Sequence, residues 1–544
     1  MQRRELLISS ILVHAARHHG GAEIVSRRDD GRLDRTNYRA LEHRARRLAG
    51  VLRGLGVRPG DRVATLAMNS DRHLELYYAI SGIGAVCNTI NPRLAPADIA
   101  YIAGDAEDGL IFVDPGFLPI IETIAPGLVG VLRGVVVMTD SAGMAACTLP
   151  PGMALHCYET LLAGEMDAPD WPDFDEHSAS ALCYTSGTTG RPKGVLYSHR
   201  STVLFALMMN GADTMGLRAV DRMLPVVPMF HVNAWGIPYV APMAGASLIL
   251  PGRHVDPVTL LGLLNGERAT VSAGVPTVWL GVLDQLRQTG ARFETLRRIL
   301  SGGAAVPRAL MAAYAAEGVR ISHAWGMTES SPVATWNAPL ASTLALDAEA
   351  ALDQQATQGR TVFGVDVRAE TESGDEAPWD GKTQGNLVFR GHWVASAYFR
   401  RPGTSVGDDG WFPTGDVGLL DPDGFVKLTD RTKDLIKSGG EWISSIDLEN
   451  IAAGHPDVAE AAAIAVPDPK WGERPLLIVV PRPGCTPAED AMRAFFVGKV
   501  PSWSIPDRVV IADSLPHGAT GKVLKTELRR MYGAGVPNVT HPKG

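Results

Sequence analysis

Apolar positions along the first 140 residues follow two alternating rhythms. Between 37 and 56, Tyr38, Leu41, Ala45, Leu48, Val51 and Leu52 recur three or four apart, which is one face of a helix, and Gly54 and Gly56 close it. Pro59-Gly60-Asp61 then turns the chain into Arg62-Val63-Ala64-Thr65-Leu66, an apolar run of strand length. A helix over 73–84, a strand over 85–89 and a further strand over 135–138 continue the alternation. Residues 1–16 read as an amphipathic helix. Helices alternating with short apolar runs predict doubly wound α/β layers.

The rhythm changes four times after that. Residues 139–177 are irregular, rich in Pro, Gly and Ala, and lead into an apolar strand over 179–184. A helix over 204–211 precedes a second α/β unit, from 246 to about 335, with strands at 247–250, 270–274 and 298–301. An Ala-rich surface helix over 341–358 gives way to short strands and turns from 362 to about 427. At Asp430-Arg431-Thr432-Lys433-Asp434 a run of charge opens a last segment the size of a small domain. The expected fold class is α/β. A large N-terminal domain spans 1–430, in subdomains of about 1–180, 181–340 and 341–430, and a small mobile α+β domain spans 431–544.

Composition narrows the function classes. At 544 residues the chain is too long for one core. A net charge of −8 argues against general nucleic-acid binding. The five cysteines are odd in number and lack C-x-x-C spacing, so neither a disulfide framework nor a zinc site is expected, and a cytoplasmic location fits. From Met223 to Gly252 there is no charged residue, long enough to span a bilayer. Pro225, Pro228, Pro238, Pro242 and Pro251 break any spanning helix there. The block reads as a buried wall of a pocket, with no stable membrane insertion.

The chemistry begins where the strand at 179–184 ends. Thr185-Ser186-Gly187-Thr188-Thr189-Gly190-Arg191-Pro192-Lys193-Gly194 combines hydroxyls, glycines and a lysine within ten positions. Such a loop offers backbone N–H groups, hydroxyls and a point charge to a polyphosphate. A Walker A loop is excluded, because Pro192 stands where its second glycine should be and Gly194 follows Lys193.

This stretch resembles the phosphate loop of the adenylate-forming superfamily, which includes acyl-CoA synthetases, luciferases and the adenylation domains of peptide synthetases. Four later stretches match the same pattern in order: Trp325-Gly326-Met327-Thr328-Glu329, Thr414-Gly415-Asp416, the segment from Asp430 to Trp442, and Gly518-Ala519-Thr520-Gly521-Lys522. The resemblance implies MgATP, CoA and a carboxylic acid as small-molecule partners, and a homodimer.

It also implies roles. Thr185, Ser186, Gly187, Thr188, Thr189, Gly190 and Lys193 hold the β- and γ-phosphates. Trp325, Gly326, Met327 and Thr328 hold adenine and α-phosphate, beside Gly303 and Ala304. Thr185 and Glu329 serve Mg2+, a hard cation that takes carboxylate and phosphate oxygens. Asp416 accepts the ribose hydroxyls, Arg431 reaches ribose or phosphate, and Asp430 is the hinge. Lys437, Gly439, Gly440 and Glu441 line the pantetheine path. Lys522 meets the attacking carboxylate, and Lys525 is expected at the surface. His231, Trp235, Gly302 and Gly303 border the acyl and thiol channels, and catalysis falls to Lys522, Glu329, Thr185 and His231. Trp325 departs from the tyrosine usual in the family.

No basic residue is placed for a second carboxylate, and no acidic one for an ammonium group. An unbranched aliphatic acid is therefore expected. The chain resembles most the medium/long-chain fatty acyl-CoA ligase branch, including the 3-methylmercaptopropionate-CoA ligases. A fatty acyl-AMP ligase serving a carrier protein is the alternative, and a luciferase-like oxygenase a more distant one.

Overall fold

Two parallel sheets carry the large domain of the computed structural model, which describes residues 1–185, 191–401, 403, 405–407, 409–439, 441–518 and 522–533. The seven-stranded sheet runs Ala154–Cys157, Gly134–Val137, Leu110–Val113, Arg62–Leu66, Val86–Thr89, Ala179–Tyr184 and Gly194–Ser198, with only the last antiparallel. Three of its strands, Gly134–Val137, Leu110–Val113 and Val86–Thr89, are buried at every position, so their side chains do not alternate between apolar and exposed polar. The nine-stranded sheet has a parallel centre, Arg320–Trp325, Arg298–Ser301, Val271–Gly274, Arg222–Pro225, Ser247–Leu250 and Glu23–Arg27.

Several boundaries differ from the sequence reading. The pair Glu23–Arg27 and Leu33–Asn37 joins the second sheet, while Gly194–Ser198 joins the first, so the expected subdomains interleave in space. The region 139–177 holds the strand Ala154–Cys157 and the helix Tyr158–Gly164. That strand is a half-exposed edge, and the helix buries only Tyr158 and Leu162, so neither leaves a strong periodic signal. The helix expected from 204 starts at His199, because Ser198 and Ser201 form a reciprocal cap at its N-terminus. The Ala-rich stretch supplies a shorter helix, Ala348–Gln355.

A four-stranded antiparallel sheet follows, Val365–Glu370, Gly385–Gly391, Phe412–Leu420 and Val426–Arg431. The small domain is built on a separate five-stranded sheet with a core around Ile436, Leu448, Leu477 and Phe496. It touches the large domain through Arg482, whose guanidinium lies 2.9 Å from the Asp284 carboxylate. No helix among the described residues is long and apolar enough to cross a membrane.

The uncharged block resolves into the strand Arg222–Pro225, a tight turn, the helix Ile237–Ala244 and the strand Ser247–Leu250. The turn is wound left-handed: Val232, Asn233, Ala234 and Trp235 have φ of 45°, 50°, 46° and 55°. Such backbone costs roughly 1–2 kcal/mol per residue for a side chain with a Cβ. Buried polar contacts hold the approach to it. The Asn69 amide donates to the carbonyls of Pro225 and Val227 at 2.9 Å each and accepts from the Met229 N–H at 2.7 Å. The Tyr77 hydroxyl lies against the Met229 carbonyl and 3.3 Å from Asn233 Oδ1.

Candidate active site

The phosphate-loop stretch closes a β-hairpin. Its flanks are the strands Ala179–Tyr184 and Gly194–Ser198, and the Thr185 N–H donates to the Lys193 carbonyl at 2.9 Å. Ser186, Gly187, Thr188, Thr189 and Gly190 lie outside the described residues. Lys193 sets its ammonium over the Tyr398 ring, 4.8 Å from the centroid. The Tyr398 hydroxyl donates to Glu329 Oε1 at 2.5 Å. One tyrosine therefore joins the lysine of the hairpin to the carboxylate of a different loop.

Glu329 is 3% exposed and follows the strand Arg320–Trp325. Burial pushes its carboxyl up, against the pull of Tyr398, Lys193 and Arg431. The loop is pinned on both sides: the Tyr197 hydroxyl donates to the Thr328 carbonyl at 2.7 Å, and the Ala395 N–H to the Glu329 carbonyl at 2.8 Å. The Met327 N–H donates to Ser330 Oγ at 3.0 Å. At Gly326 a Cβ would stand 1.7 Å from the Pro332 carbonyl oxygen, so only glycine fits.

Trp325 ends its strand 6% exposed, edge-on to Phe389 at 6.0 Å between centroids. Its indole N–H donates to Asp416 Oδ2 at 2.8 Å. Asp416 stands directly across the strand pair from Arg431, whose Nε lies 3.4 Å from Oδ1. The carboxylate is thus hydrogen-bonded from the core of the large domain and ion-paired with the start of the charged segment.

Gly302, Gly303 and Ala304 follow the strand Arg298–Ser301. A Cβ on Gly302 would lie 2.7 Å from the Ala324 carbonyl oxygen, and Gly303 has a φ of 79°. A Cβ built on Gly303 would meet Lys522 Cε at 3.9 Å, so the lysine of the small domain reaches this turn. Although Lys522 stays open to water, crowding by the surrounding protein brings its ammonium down to about 8, helped by Arg431 and opposed by Asp416 and Glu329. His231, at the mouth of the left-handed turn, is lowered to about 4 by burial and then by repulsion from Lys522. It is a neutral imidazole at physiological pH. Trp235, at the end of that turn, is 8% exposed.

The structure therefore groups Lys193, Glu329, Trp325, Asp416, Arg431, Gly303, His231 and Lys522. Lys437, Gly439 and Glu441 are not part of that group, and Gly440 lies outside the described residues. The contacts found for these residues are within the small domain: Lys437 over Trp442 at 4.5 Å, the Gly439 N–H to the Trp471 carbonyl at 2.8 Å, and Glu441 paired with Ser438. Lys525 is not a surface lysine. Its ammonium lies 2.7 Å from Glu449 and donates to Ser445 Oγ at 2.5 Å, because Asp430, Glu449 and Asp434 gather around it. Among the described residues no three His, Cys, Asp or Glu side chains are placed to hold a metal. Tyr197, Tyr398 and Asn69 went unread in the sequence, where nothing marks a lone tyrosine or asparagine as a bridge.

Comparison with known proteins gives these residues a context. The AMP-binding enzyme family model matches residues 12–399, and the AMP-binding enzyme C-terminal domain model matches 447–522. The chain is 49% identical to the 3-methylmercaptopropionyl-CoA ligase of Ruegeria pomeroyi over 533 residues, 98% of each protein. It is 46% identical to the medium-chain-fatty-acid–CoA ligase of Ectopseudomonas oleovorans, over 98% of this chain and 97% of that protein. Among solved structures, ATP-bound MatB from Rhodopseudomonas palustris superposes with a TM-score of 0.79 at 28% identity, covering 96% of this chain and 99% of that one. An anthranilate CoA ligase in complex with anthranoyl-AMP shares the fold at a TM-score of 0.85 and 24% identity, covering 97% of each chain. With two family models matching and the likeness to relatives running nearly end to end, the chain belongs to the AMP-binding, adenylate-forming enzymes and, within them, to the acyl-CoA ligases that use ATP and CoA.

Proposed function

We propose that the grouped residues perform the first of two half-reactions, joining an aliphatic carboxylic acid to AMP. The observation that carries this reading is Lys522 of the small domain standing at Gly303 of the large one, amid Glu329, Asp416 and His231. A carboxylate oxygen attacks the α-phosphorus of ATP, a new P–O bond forms, and the α–β P–O bond breaks to release pyrophosphate. Negative charge gathers on the carboxylate and α-phosphate, and the Lys522 ammonium is the cation aimed there. Thr185 and Lys193 orient the leaving group, together with the residues of the loop between them. Asp416 accepts the ribose hydroxyls, and Arg431 flanks them.

Glu329 suits Mg2+. It is a buried carboxylate with no cation bonded to it among the described contacts, and Mg2+ is commonly held by one or two carboxylates together with substrate phosphates. When bound, the ion would neutralise phosphate charge. Tyr398 holds one oxygen of Glu329 in place.

In the second half-reaction the CoA sulfur attacks the acyl carbon, AMP leaves, and the thiol proton must be taken up. A rotation about Asp430 would withdraw Lys522 and bring Lys437, Gly439, Gly440 and Glu441 to the acyl-adenylate. Removing Lys522 also removes its repulsion of His231, so the imidazole gains basicity when the thiol arrives. His231, Trp235 and the uncharged block bound the acyl chain. The acid is 3-methylmercaptopropionate or a short- to medium-chain fatty acid, supported by the uncharged wall and by the names of the relatives. Homodimeric assembly belongs to the same reading and rests on the family resemblance, and a cytoplasmic location rests on the cysteine pattern.

A screen of acid-dependent pyrophosphate release, from acetate to palmitate and including 3-methylmercaptopropionate, tests the acid. Preference for an aromatic or dicarboxylic acid would overturn the assignment. AMP release that depends on CoA separates this reading from delivery to a carrier protein.

A further inference from the structure

We propose that Trp325 is a positioning residue for ribose recognition: its indole N–H fixes the Asp416 carboxylate so that the remaining lone pairs face both ribose hydroxyls. This rests on the reading of Asp416 as the ribose acceptor.

An aspartate carboxylate turns readily about its last torsion, which has only a broad preference. Here the Trp325 Nε1–H donates to Oδ2 at 2.8 Å, and the Arg431 guanidinium forms an ion pair with Oδ1 at the longer distance of 3.4 Å. A carboxylate has about four lone-pair sites, so with the indole on one of them enough are left for the two hydroxyls. A hydrogen bond on one oxygen and an ion pair at the other set the plane of the group as well as its position.

The two contacts are not equivalent. Trp325 ends a central strand of the nine-stranded sheet and packs on Phe389, so it belongs to the rigid core. Arg431 is half-exposed and adjoins Asp430, the proposed hinge. Its contact is the longer one and lies on the segment that would turn. The indole contact survives that rotation and keeps the ribose acceptor aligned while the acyl-adenylate waits for the thiol. The indole nitrogen can only donate, never accept, which suits a partner that must remain a carboxylate. The tyrosine usual in the family offers a hydroxyl that turns about its C–O bond and can also accept.

The test compares kcat/KM for ATP, 2′-deoxyATP and 3′-deoxyATP in acid-dependent pyrophosphate release. Trp325→Phe deletes the donor, and a charge-assisted hydrogen bond of this kind corresponds to about tenfold or more. The preference for ATP over each deoxy analogue should fall by about tenfold in Trp325→Phe, whatever the variant does to the turnover of all three nucleotides together. The ratio is taken within one preparation, so a smaller folded fraction does not alter it. Benzothienylalanine at 325, which keeps the ring shape and removes only the N–H, should show the same loss if the phenylalanine variant folds poorly. Asp416→Ala separates the two ideas. If it abolishes the preference while both Trp325 variants keep the wild-type value, the positioning role is wrong and the ribose reading stands. If Asp416→Ala leaves the preference intact, the ribose reading itself falls.

Discussion

Two lysines three residues apart meet opposite surroundings. Lys525 opens the last described helix with its ammonium against Glu449, Asp430 and Ser445, and these partners raise its proton affinity despite burial. Lys522 reaches across to the other domain, where crowding and Arg431 outweigh the carboxylates of Asp416 and Glu329, and its affinity falls. A paired cation holds structure together. A cation left short of compensating charge has most to gain from an arriving anion, so the site nearest Lys522 is ready for a phosphate and a carboxylate.

That contrast can be broken at several points. Lys522→Ala should lower acyl-adenylate formation by about 10²–10³-fold while leaving thioester formation from supplied acyl-adenylate intact, read by separate pyrophosphate and thioester assays. Equal losses in both assays would erase the division of labour. Lys525→Met should instead cost about 3 kcal/mol of stability, because Glu449 is left with a buried, unpaired charge. Denaturant unfolding measures this, and adding Glu449→Leu should restore most of the loss.

The smaller effect is in pH. In the proposed adenylation step Lys522 acts as a cation, and its affinity is lowered to about 8. The cationic fraction is complete well below that value and falls as pH rises through it. kcat/KM for pyrophosphate release should therefore bend downward near pH 8, losing about tenfold by pH 9, since this parameter reports the free enzyme. Thioester formation from supplied adenylate should show no such limb from Lys522.

The same two lysines mark how far sequence reading reaches. Both are charged residues in one short stretch, and only the resemblance distinguished Lys522, while Lys525 was misplaced at the surface. Its partner Glu449 comes from another helix, brought close only by the small domain's folding. Strands such as Arg62–Leu66, Ala179–Tyr184 and Arg298–Ser301 were legible because sheets covered on both faces leave dense apolar runs. Gly194–Ser198 and Glu23–Arg27 were not, since their identity depends on the strands they pair with far along the chain. Within the site, Tyr398 on Glu329 spans 69 positions and Trp325 on Asp416 spans 91. No local pattern encodes such contacts.

The left-handed turn from Val232 to Trp235 has a consequence for anyone reshaping the proposed acyl pocket. Side-chain truncation there acts on the backbone as well as on the cavity. Ordinarily glycine is a worse replacement than alanine, through its larger loss of freedom on folding. At φ of 55° the order reverses, because alanine retains the Cβ that the backbone disfavours. Trp235→Gly should be the more stable of the two by about 1 kcal/mol, read from thermal unfolding. The pair of variants then serves as a gauge, reporting how much tension the wall carries before any acid is bound.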